Sequence, residues 1–436
     1  MTSTPTHKPA KLRIGIVYDR IADYEDPRHG GIMAGELQER AATRTPADRF
    51  AEFEPESTIE AMEQAIILAG HTPVRIGSPH LLLEIGADDG QDNGPDVDLV
   101  WNIGEGYGTR NREAWAPVLC EMKGIPCLGS DAYALTVTLD KALTKQIARG
   151  LGIPTADWQV VPWRPKSVSG ADQIGLSSQK NTPAGTGADS PDPSGTTPVS
   201  DPVSAVPNPT LAFPEPALPF PQFLKPRYEG TSKGITADSI VRSPEQFRKQ
   251  CLHLLQTYRQ DVLAEPFLLG AELTCALAGH PLQPLPVMER GLHSSGIGSH
   301  AMDQRAHLAS IAGRTAKPVA AAETEDSGGT SRADDSSNSD HTYPGDAIRV
   351  TGAITPEIER DLTEWSMALC EALGIRDFIR MDFKLDADGR PMFLEANPLP
   401  TFGVDSTFAI LAEIEGVSYP EYLARILSSA IRRFQF

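Results

Sequence analysis

The stretch from Phe378 to Asn397, FIRMDFKLDADGRPMFLEAN, sets an arginine, two acids and an amide at strand spacing. Two runs rich in branched and aromatic residues flank Asp388-Gly389, a pair that favours a two-residue type I′ hairpin turn. That turn would place Ala387 opposite Arg390, Phe383 opposite Leu394, Asp382 opposite Glu395 and Arg380 opposite Asn397. Side chains alternate along a strand, so Arg380, Asp382, Glu395 and Asn397 would share one face while Met381 and Phe383 point away. Directly opposed residues have β-carbons ~5 Å apart, and like charges there are destabilising. Two carboxylates and an amide beside an arginine therefore want a divalent cation, and an all-oxygen set suits magnesium. The bland alternative is a solvated hairpin face. Against it, Glu395-Ala-Asn397-Pro-Leu-Pro-Thr leads from an apolar strand into a Pro-punctuated loop, where functional residues concentrate.

The elements that must hold this hairpin can be read along the chain. Leu12–Asp19 is a short apolar run fit for a buried parallel strand, and Pro46–Pro55 reads as a loop. Ser57 with Glu60 forms a capping box opening a helix, with Ile59, Met62 and Ile66 as its buried stripe and Gly70 at its end. Pro73–Gly77 and Val97–Ile103 read as further strands, so the alternation implies a doubly wound α/β domain with ligands at the carboxyl ends of the strands. One such end is Gly104-Glu105-Gly-Tyr-Gly-Thr-Arg110-Asn-Arg112, where the arginines could hold a carboxylate or phosphate; an ordinary strand-to-helix turn would look the same. Pro244–Tyr258 is a helix, and Thr355 caps another that buries Ile358, Leu362, Trp365, Leu369 and Leu373 before Gly374.

Composition bounds the rest. A chain of 436 residues suggests two or three domains, and a net charge of -19 argues against a nucleic-acid partner. Five cysteines without a CxxC pair in apolar settings fit a reducing cytoplasmic compartment. No apolar run reaches the ~20 residues of a membrane span. Lys166–Pro221 and Thr324–His341 turn to Pro, Gly, Ser, Thr and Asp, a composition expected to stay disordered.

A second chemical signal is Phe223-Leu-Lys225-Pro-Arg-Tyr-Glu229-Gly230-Thr231-Ser232-Lys-Gly234. Small residues there let backbone N–H groups and two hydroxyls converge on phosphate oxygens while a lysine supplies charge. No GK[ST] opens a helix, so this is not a Walker loop, and alone it is equally an ordinary hairpin loop.

RMDF…FLEANPLP resembles the metal-binding end of the ATP-grasp superfamily, in particular the D-alanine–D-alanine ligase family. The ordered motifs support that resemblance over roughly Ile14–Phe436, apart from the two insertions. TLDKALTKQIARGLGIPT is similar to the family's Asp-Lys helix, which implies that Lys141 reaches ATP phosphate. K-P-x-x-E-G-T-S-K-G is similar to the loop that folds over the γ-phosphate, through Lys225, Glu229, Gly230, Thr231, Ser232 and Gly234. By the same resemblance Glu265, Phe267 and Leu268 contact adenine, Glu272 the ribose, and Ser406 the acceptor. Asp382, Glu395 and Asn397 would bind Mg2+ (or Mn2+), and Arg380 would stabilise a tetrahedral oxyanion. Glu56, at the helix start, is expected to orient the donor's amino group.

The chain departs from the family in three places. Glu105 and Arg110 stand in a donor loop that usually carries a histidine, Thr401 replaces a glycine, and the family's Lys-Tyr loop pair is absent. Arg305, His307 and Tyr343 are candidate substitutes for that pair.

The implied architecture is an N-terminal α/β domain (1–130), a central ATP-grasp lid (131–265, with an insertion at 166–221) and a C-terminal metal-binding domain (266–436, with an insertion at about 315–345). The implied reaction joins two small amino acid substrates through an acyl-phosphate at the expense of ATP. The resemblance places it in cell-wall peptidoglycan synthesis, with no membrane partner and room for a homodimer. A ligase for other amino acids or peptides, an ATP-binding regulatory protein without turnover, and phosphotransfer without ligation remain alternatives.

Overall fold

Branched residues at alternate positions make Arg13–Val17 the central strand, β1, of a parallel sheet, with Ile14, Ile16 and Val17 fully buried. The computed structural model of the chain describes residues 11–20, 46, 48–85, 96–164, 214–290, 348–349, 354–404 and 406–434. Helix α1 (Glu56–Leu68) follows and buries Ile59, Met62 and Ile66, as its spacing requires. It begins earlier than the capping-box reading: Pro55 is the N-cap, no side chain caps it, and Ser57 lies inside the first turn. Proline presets the entry dihedral, and Arg20 and Arg75 pin the carboxylate of Glu56 in the first turn. Strands β2 (Thr72–Gly77), β3 (Leu99–Asn102) and β4 (Cys127–Leu128) complete the sheet in the order β2-β1-β3-β4, every pairing parallel. Helix α2 (Trp115–Lys123) lies between β3 and β4.

Helices α3 (Ala132–Leu139) and α4 (Lys141–Gly150) lead into a second, antiparallel sheet. It is built from β5 (Gln159–Val161), β6 (Gln222–Pro226), β7 (Ile240–Val241) and, after helix α5 (Pro244–Tyr258), β8 (Val262–Pro266), in the order β5-β8-β6-β7. Most of the segment expected to be disordered, 165–213, lies outside the described residues, as does 324–341. The chain is hydrogen-bonded before the expected edge at Pro221, however. The Ala217 N–H donates to the Gln159 side chain, and Gln222 Nε2 donates to the Leu218 carbonyl.

The third sheet contains β9 (Glu272–Gly279), β10 (Gln283–Pro284), β11 (Met288–Arg290), β12 (Ile348–Arg349), then, after helix α6 (Pro356–Leu373), β13 (Asp377–Leu385) and β14 (Pro391–Asn397). Its order is β12-β11-β9-β13-β14, with β10 on β9. One face buries Leu273, Cys275, Leu277, Ile379, Met381 and Phe383 against Leu362, Leu369 and Leu373 of α6. On the other face, Ala276, Ala278, Met288 and Phe378 join α1 and the C-terminal helix α8 (Tyr419–Ile431), which follows α7 (Thr407–Ile414). The remaining end of that second face is polar. All three sheets belong to one compact unit, Met1–Trp163 with Pro216–Phe436.

The β13–β14 hairpin corrects the turn reading while keeping its consequence. Asp386 pairs with Arg390, so the connection has three residues, with Gly389 at a φ of 77°. Asp386 accepts from the N–H groups of Asp388 and Arg390, which favours this longer turn. The register is therefore Phe383 to Phe393, one residue off the type I′ expectation, until a bulge between Asp382 and Phe383 absorbs Leu394. Beyond it, Asp382 opposes Glu395 and Arg380 opposes Asn397, as expected.

Phe402 ties the first and third sheets together. Its ring lies edge-on to Trp101 at 5.7 Å and to Phe378 at 5.0 Å, and stacks on Phe408 at 5.4 Å. Phe402→Ala should lower unfolding free energy by ~3–5 kcal/mol, measured by urea denaturation. A loss below ~1 kcal/mol would show that the aromatic cluster does not join these layers.

Candidate active site

The polar face is a consequence of strand register. Glu272 and Thr274 on β9 oppose Lys384 and Asp382 on β13, Glu272 opposes Arg290 on β11, and Asp382 opposes Glu395 on β14. The pairs put Arg290, Glu272, Thr274, Arg380, Asp382, Lys384, Glu395 and Asn397 on a single surface. Burial would raise the Asp382 carboxyl, but Arg380 and Arg290 outweigh it and hold the group below its ordinary value. Arg380 Nε donates to Asp382 Oδ2 at 3.1 Å, and the Thr274 hydroxyl donates to Oδ1 at 2.8 Å. Glu395 is likewise held low against burial, by Lys141 and Lys225. Burial raises Glu272, whose carboxylate lies 3.8 Å from Lys384.

Among the described residues no group of three or more His, Cys, Asp or Glu side chains forms a ready metal cage. What the face offers is two ionised carboxylates directly across a strand pair, with the Asn397 amide one alternation beyond. That donor set fits an octahedral cation that keeps waters and substrate oxygens in its other positions.

Lys141 links this face to the glycine loop. It stands at the first position of α4, where the helix dipole opposes a cation. The N-cap Asp140 offsets that by accepting from Leu143 N and from Arg227. Lys141 Nζ lies 3.3 Å from Glu395 Oε2 and donates to the Glu229 carbonyl. Behind it, Glu265 sits between Lys145 at 2.5 Å and Lys225 at 2.8 Å. Burial acts to raise Glu265, yet the two lysines hold it at about 2. Phe267 is half-buried and stacks on Phe223, with its N–H given to the Pro221 carbonyl; Leu268 is half-buried beside it.

Thr231 and Ser232 both adopt left-handed backbone, at φ 45° and 56°, a conformation that costs free energy for non-glycine residues. The glycines on either side are anchored. Gly230 N–H donates to Glu52 at 2.8 Å, and Gly234 N–H to Asp48 at 2.9 Å. Between them, the N–H groups of Thr231 and Ser232 take no acceptor among the described residues.

Those anchors come from the Pro46–Pro55 segment, whose sequence reads as a loop. Glu52 is buried, accepts from Lys233 at 2.8 Å and Arg112 at 2.5 Å, and is held at about 2 by them against burial. Asp48 also accepts from the Tyr258 hydroxyl, and Glu54 from the Thr401 hydroxyl at 2.9 Å. Glu52, Glu54 and Glu56 stand two residues apart across Pro55, and no local signal in the sequence tells them apart. The structure separates them: Glu52 and Glu54 are buried, whereas Glu56 lies half-exposed, held by Arg20 at 2.5 Å and by Arg75.

In the Gly104–Arg112 loop, Arg112 is buried and Arg110 is exposed. Gly106, at φ 63°, gives its N–H to Asp19, and a side chain there would strike the Arg112 carbonyl at 2.9 Å. Arg112 lies 4.0 Å from Glu105 and 3.1 Å from Glu113. Burial, then repulsion by Glu113 and Glu52, pushes Glu105 well above the carboxylate range, and burial raises Glu113 to about 7. Ser406 is buried at the N-cap of α7, 3.4 Å from the Tyr419 hydroxyl. Arg305, His307 and Tyr343 lie outside the described residues.

The family described as D-ala D-ala ligase C-terminus matches residues 338–428. An uncharacterised protein of Sinorhizobium fredii is 25% identical over 77% of this chain and 75% of its own length. The D-alanine–D-alanine ligase of Bordetella petrii is 24% identical over 71% of this chain and 69% of its own. Among solved structures, the D-alanine–D-alanine ligase of Bacillus anthracis covers 97% of this chain and 99% of its own at 17% identity and a TM-score of 0.53; the same ligase complexed with ATP matches at 0.50. The fold is that of an ATP-grasp protein. The C-terminal match and the relatives of known name make the chain similar to D-alanine–D-alanine ligases. Among the described residues no helix is long and apolar enough to cross a membrane.

Glu265 supplies a pH test of this geometry. Its pKa falls on folding from the usual 4.5 to about 2, so its stabilisation is complete above about 4.5 and is lost as pH falls toward about 2. Glu265→Gln should remove that acid-range dependence and cost ~3–5 kcal/mol at neutral pH, because Lys145 and Lys225 lose the charge between them. Denaturant titrations at pH 7 and pH 3 would check this; a variant as stable as the parent at pH 7 would contradict it.

Proposed function

We propose that the chain is an ATP-dependent, ADP-forming carboxylate–amine ligase acting on small amino acids, with a dipeptide of the D-alanyl-D-alanine kind as its nearest product. The observation that carries this reading is the opposed pair Asp382 and Glu395, the first buried and the second partly so, both held ionised on one sheet face and bordered by Arg380 and Lys141. The ATP complex of the Bacillus anthracis ligase supports the nucleotide assignment.

In this reading Lys141 and Lys225 hold ATP phosphates, and the N–H groups and hydroxyls of Thr231 and Ser232 bind the γ-phosphoryl group. Glu265, Phe267 and Leu268 border the adenine, and Glu272 the ribose. Asp382, Glu395 and Asn397 would hold Mg2+ or Mn2+, which supplies charge neutralisation for the transferred phosphoryl group. The donor carboxylate attacks the γ-phosphorus and ADP departs. The acceptor amine, held near Ser406, then attacks the acyl carbon, and phosphate leaves. Arg380 faces the oxyanion formed in that second step. The loop Glu229–Gly234, pinned by Asp48 and Glu52, keeps water from the acyl-phosphate. The three sheets would correspond to modules 1–130, 131–265 and 266–436.

A second reading, a ligase for a different amino acid or a peptide, is favoured by the donor loop. A buried cluster of Glu52, Glu105, Arg112 and Glu113 occupies the region, and its charges differ from a single histidine. Measuring ADP release with Mg-ATP across single amino acids, then weighing the products, separates the readings. D-Alanine-dependent release with a dipeptide product supports the first, and stimulation by other amino acids alone supports the second. ADP release indifferent to every amino acid would contradict both.

Arg380→Met should lower amino-acid-dependent turnover ~10²–10³-fold, a larger loss than the weakening of Mg-ATP binding that follows from releasing Asp382, since the guanidinium also acts at the oxyanion. Equal losses in ATP affinity and turnover would contradict that role.

A further inference from the structure

Arg290, the last residue of β11, was not singled out by any motif. It is 4% exposed and stands directly opposite Glu272 in the β9 register. Its Nε donates to the Thr274 hydroxyl at 2.9 Å, and a terminal nitrogen reaches the Thr407 hydroxyl at 3.3 Å. Thr274, fully buried, donates in turn to Asp382 Oδ1 at 2.8 Å. The result is a directed chain from Arg290 through Thr274 to Asp382.

A threonine hydroxyl has one proton and can turn it to any acceptor in reach. Here its lone pair is taken by the Arg290 N–H, which leaves the proton facing Asp382. A hydroxyl that accepts from a cation is also a better donor, so the second bond is strengthened by the first. Asp382 is thereby held at both oxygens, Oδ1 by Thr274 and Oδ2 by Arg380. One donor comes from the neighbouring strand β9 and the other from its own, so the carboxylate plane is fixed. The Thr407 contact holds the other side of Arg290 at the first residue of α7, beside Ser406.

We propose that Arg290 and Thr274 are positioning residues that orient Asp382 toward the divalent cation, an inference resting on the cation assignment above. Neither touches the cation itself. They set the direction of the carboxylate that does, and outer partners of metal ligands ordinarily change affinity ~10–100-fold when removed.

The test is Mn2+ binding to the full-length protein with a non-hydrolysable ATP analogue, followed by electron paramagnetic resonance. Thr274→Val keeps the side chain's shape and removes the hydroxyl. It should weaken Mn2+ binding ~10–100-fold, Thr274→Ser should restore it to within a few-fold, and Arg290→Met should weaken it as Val does. Thermal unfolding would establish that each variant is folded. Should Arg290→Met fail to fold, the Val and Ser pair at position 274 still decides the matter. Folded Thr274→Val binding Mn2+ as tightly as the parent would overturn the proposal with the cation assignment intact. A parent that binds no Mn2+ would overturn the assignment and, with it, this proposal.

Discussion

Two carboxylates facing each other across adjacent strands repel, and a buried sheet does not readily tolerate that. Asp382 and Glu395 are in that position, and much of the surrounding polar structure compensates for it. Arg380 and Arg290 offset Asp382, while Lys141 and Lys225 offset Glu395. The compensating cations come from β11, β13, α4 and β6, so the central and C-terminal sheets must be packed together before the pair is tolerable. The site and the tertiary arrangement therefore depend on one another. Binding of a divalent cation would relieve the same repulsion, which is the physical link between the fold and its proposed use.

A second electrostatic junction lies at the glycine loop. Glu52 and Asp48 carry negative charge to the amides of Gly230 and Gly234, and Lys233 and Arg112 keep Glu52 ionised. Anchoring on both sides limits how the intervening Thr231 and Ser232 can relax from left-handed backbone. A loop held so is pre-formed, with the ordering cost met by folding instead of by substrate binding.

The parts legible from sequence were those set by short-range periodicity. Strand alternation put Arg380, Asp382, Glu395 and Asn397 on one face, and helix spacing identified Ile59, Met62 and Ile66 as buried. The hairpin pairing survived even though the turn differed, because the extra turn residue and the Leu394 bulge shift the register in opposite senses. Either one alone would have turned Glu395 away from Asp382, since strand side chains alternate with a period of two. The α1 capping box was less well read, because Pro55 and the clasp of Arg20 and Arg75 on Glu56 override Ser57 as the start.

Long-range electrostatics were not legible. Glu52 meets Gly230 across 178 positions, and a turn-rich segment has no periodicity to say which of Glu52, Glu54 and Glu56 points inward. The same holds in the Gly104–Arg112 loop, where nothing local separates buried Arg112 from exposed Arg110. Arg290 was hidden because its contacts come from the β11–β9 pairing and from α7. The most direct test of the central claim uses a donor amino acid labelled with 18O in its carboxylate, under turnover with Mg-ATP. One labelled oxygen per ligation is expected in the released inorganic phosphate, because carboxylate oxygen is transferred with the phosphoryl group. Unlabelled phosphate, or label found only in AMP, would contradict an acyl-phosphate route through this site.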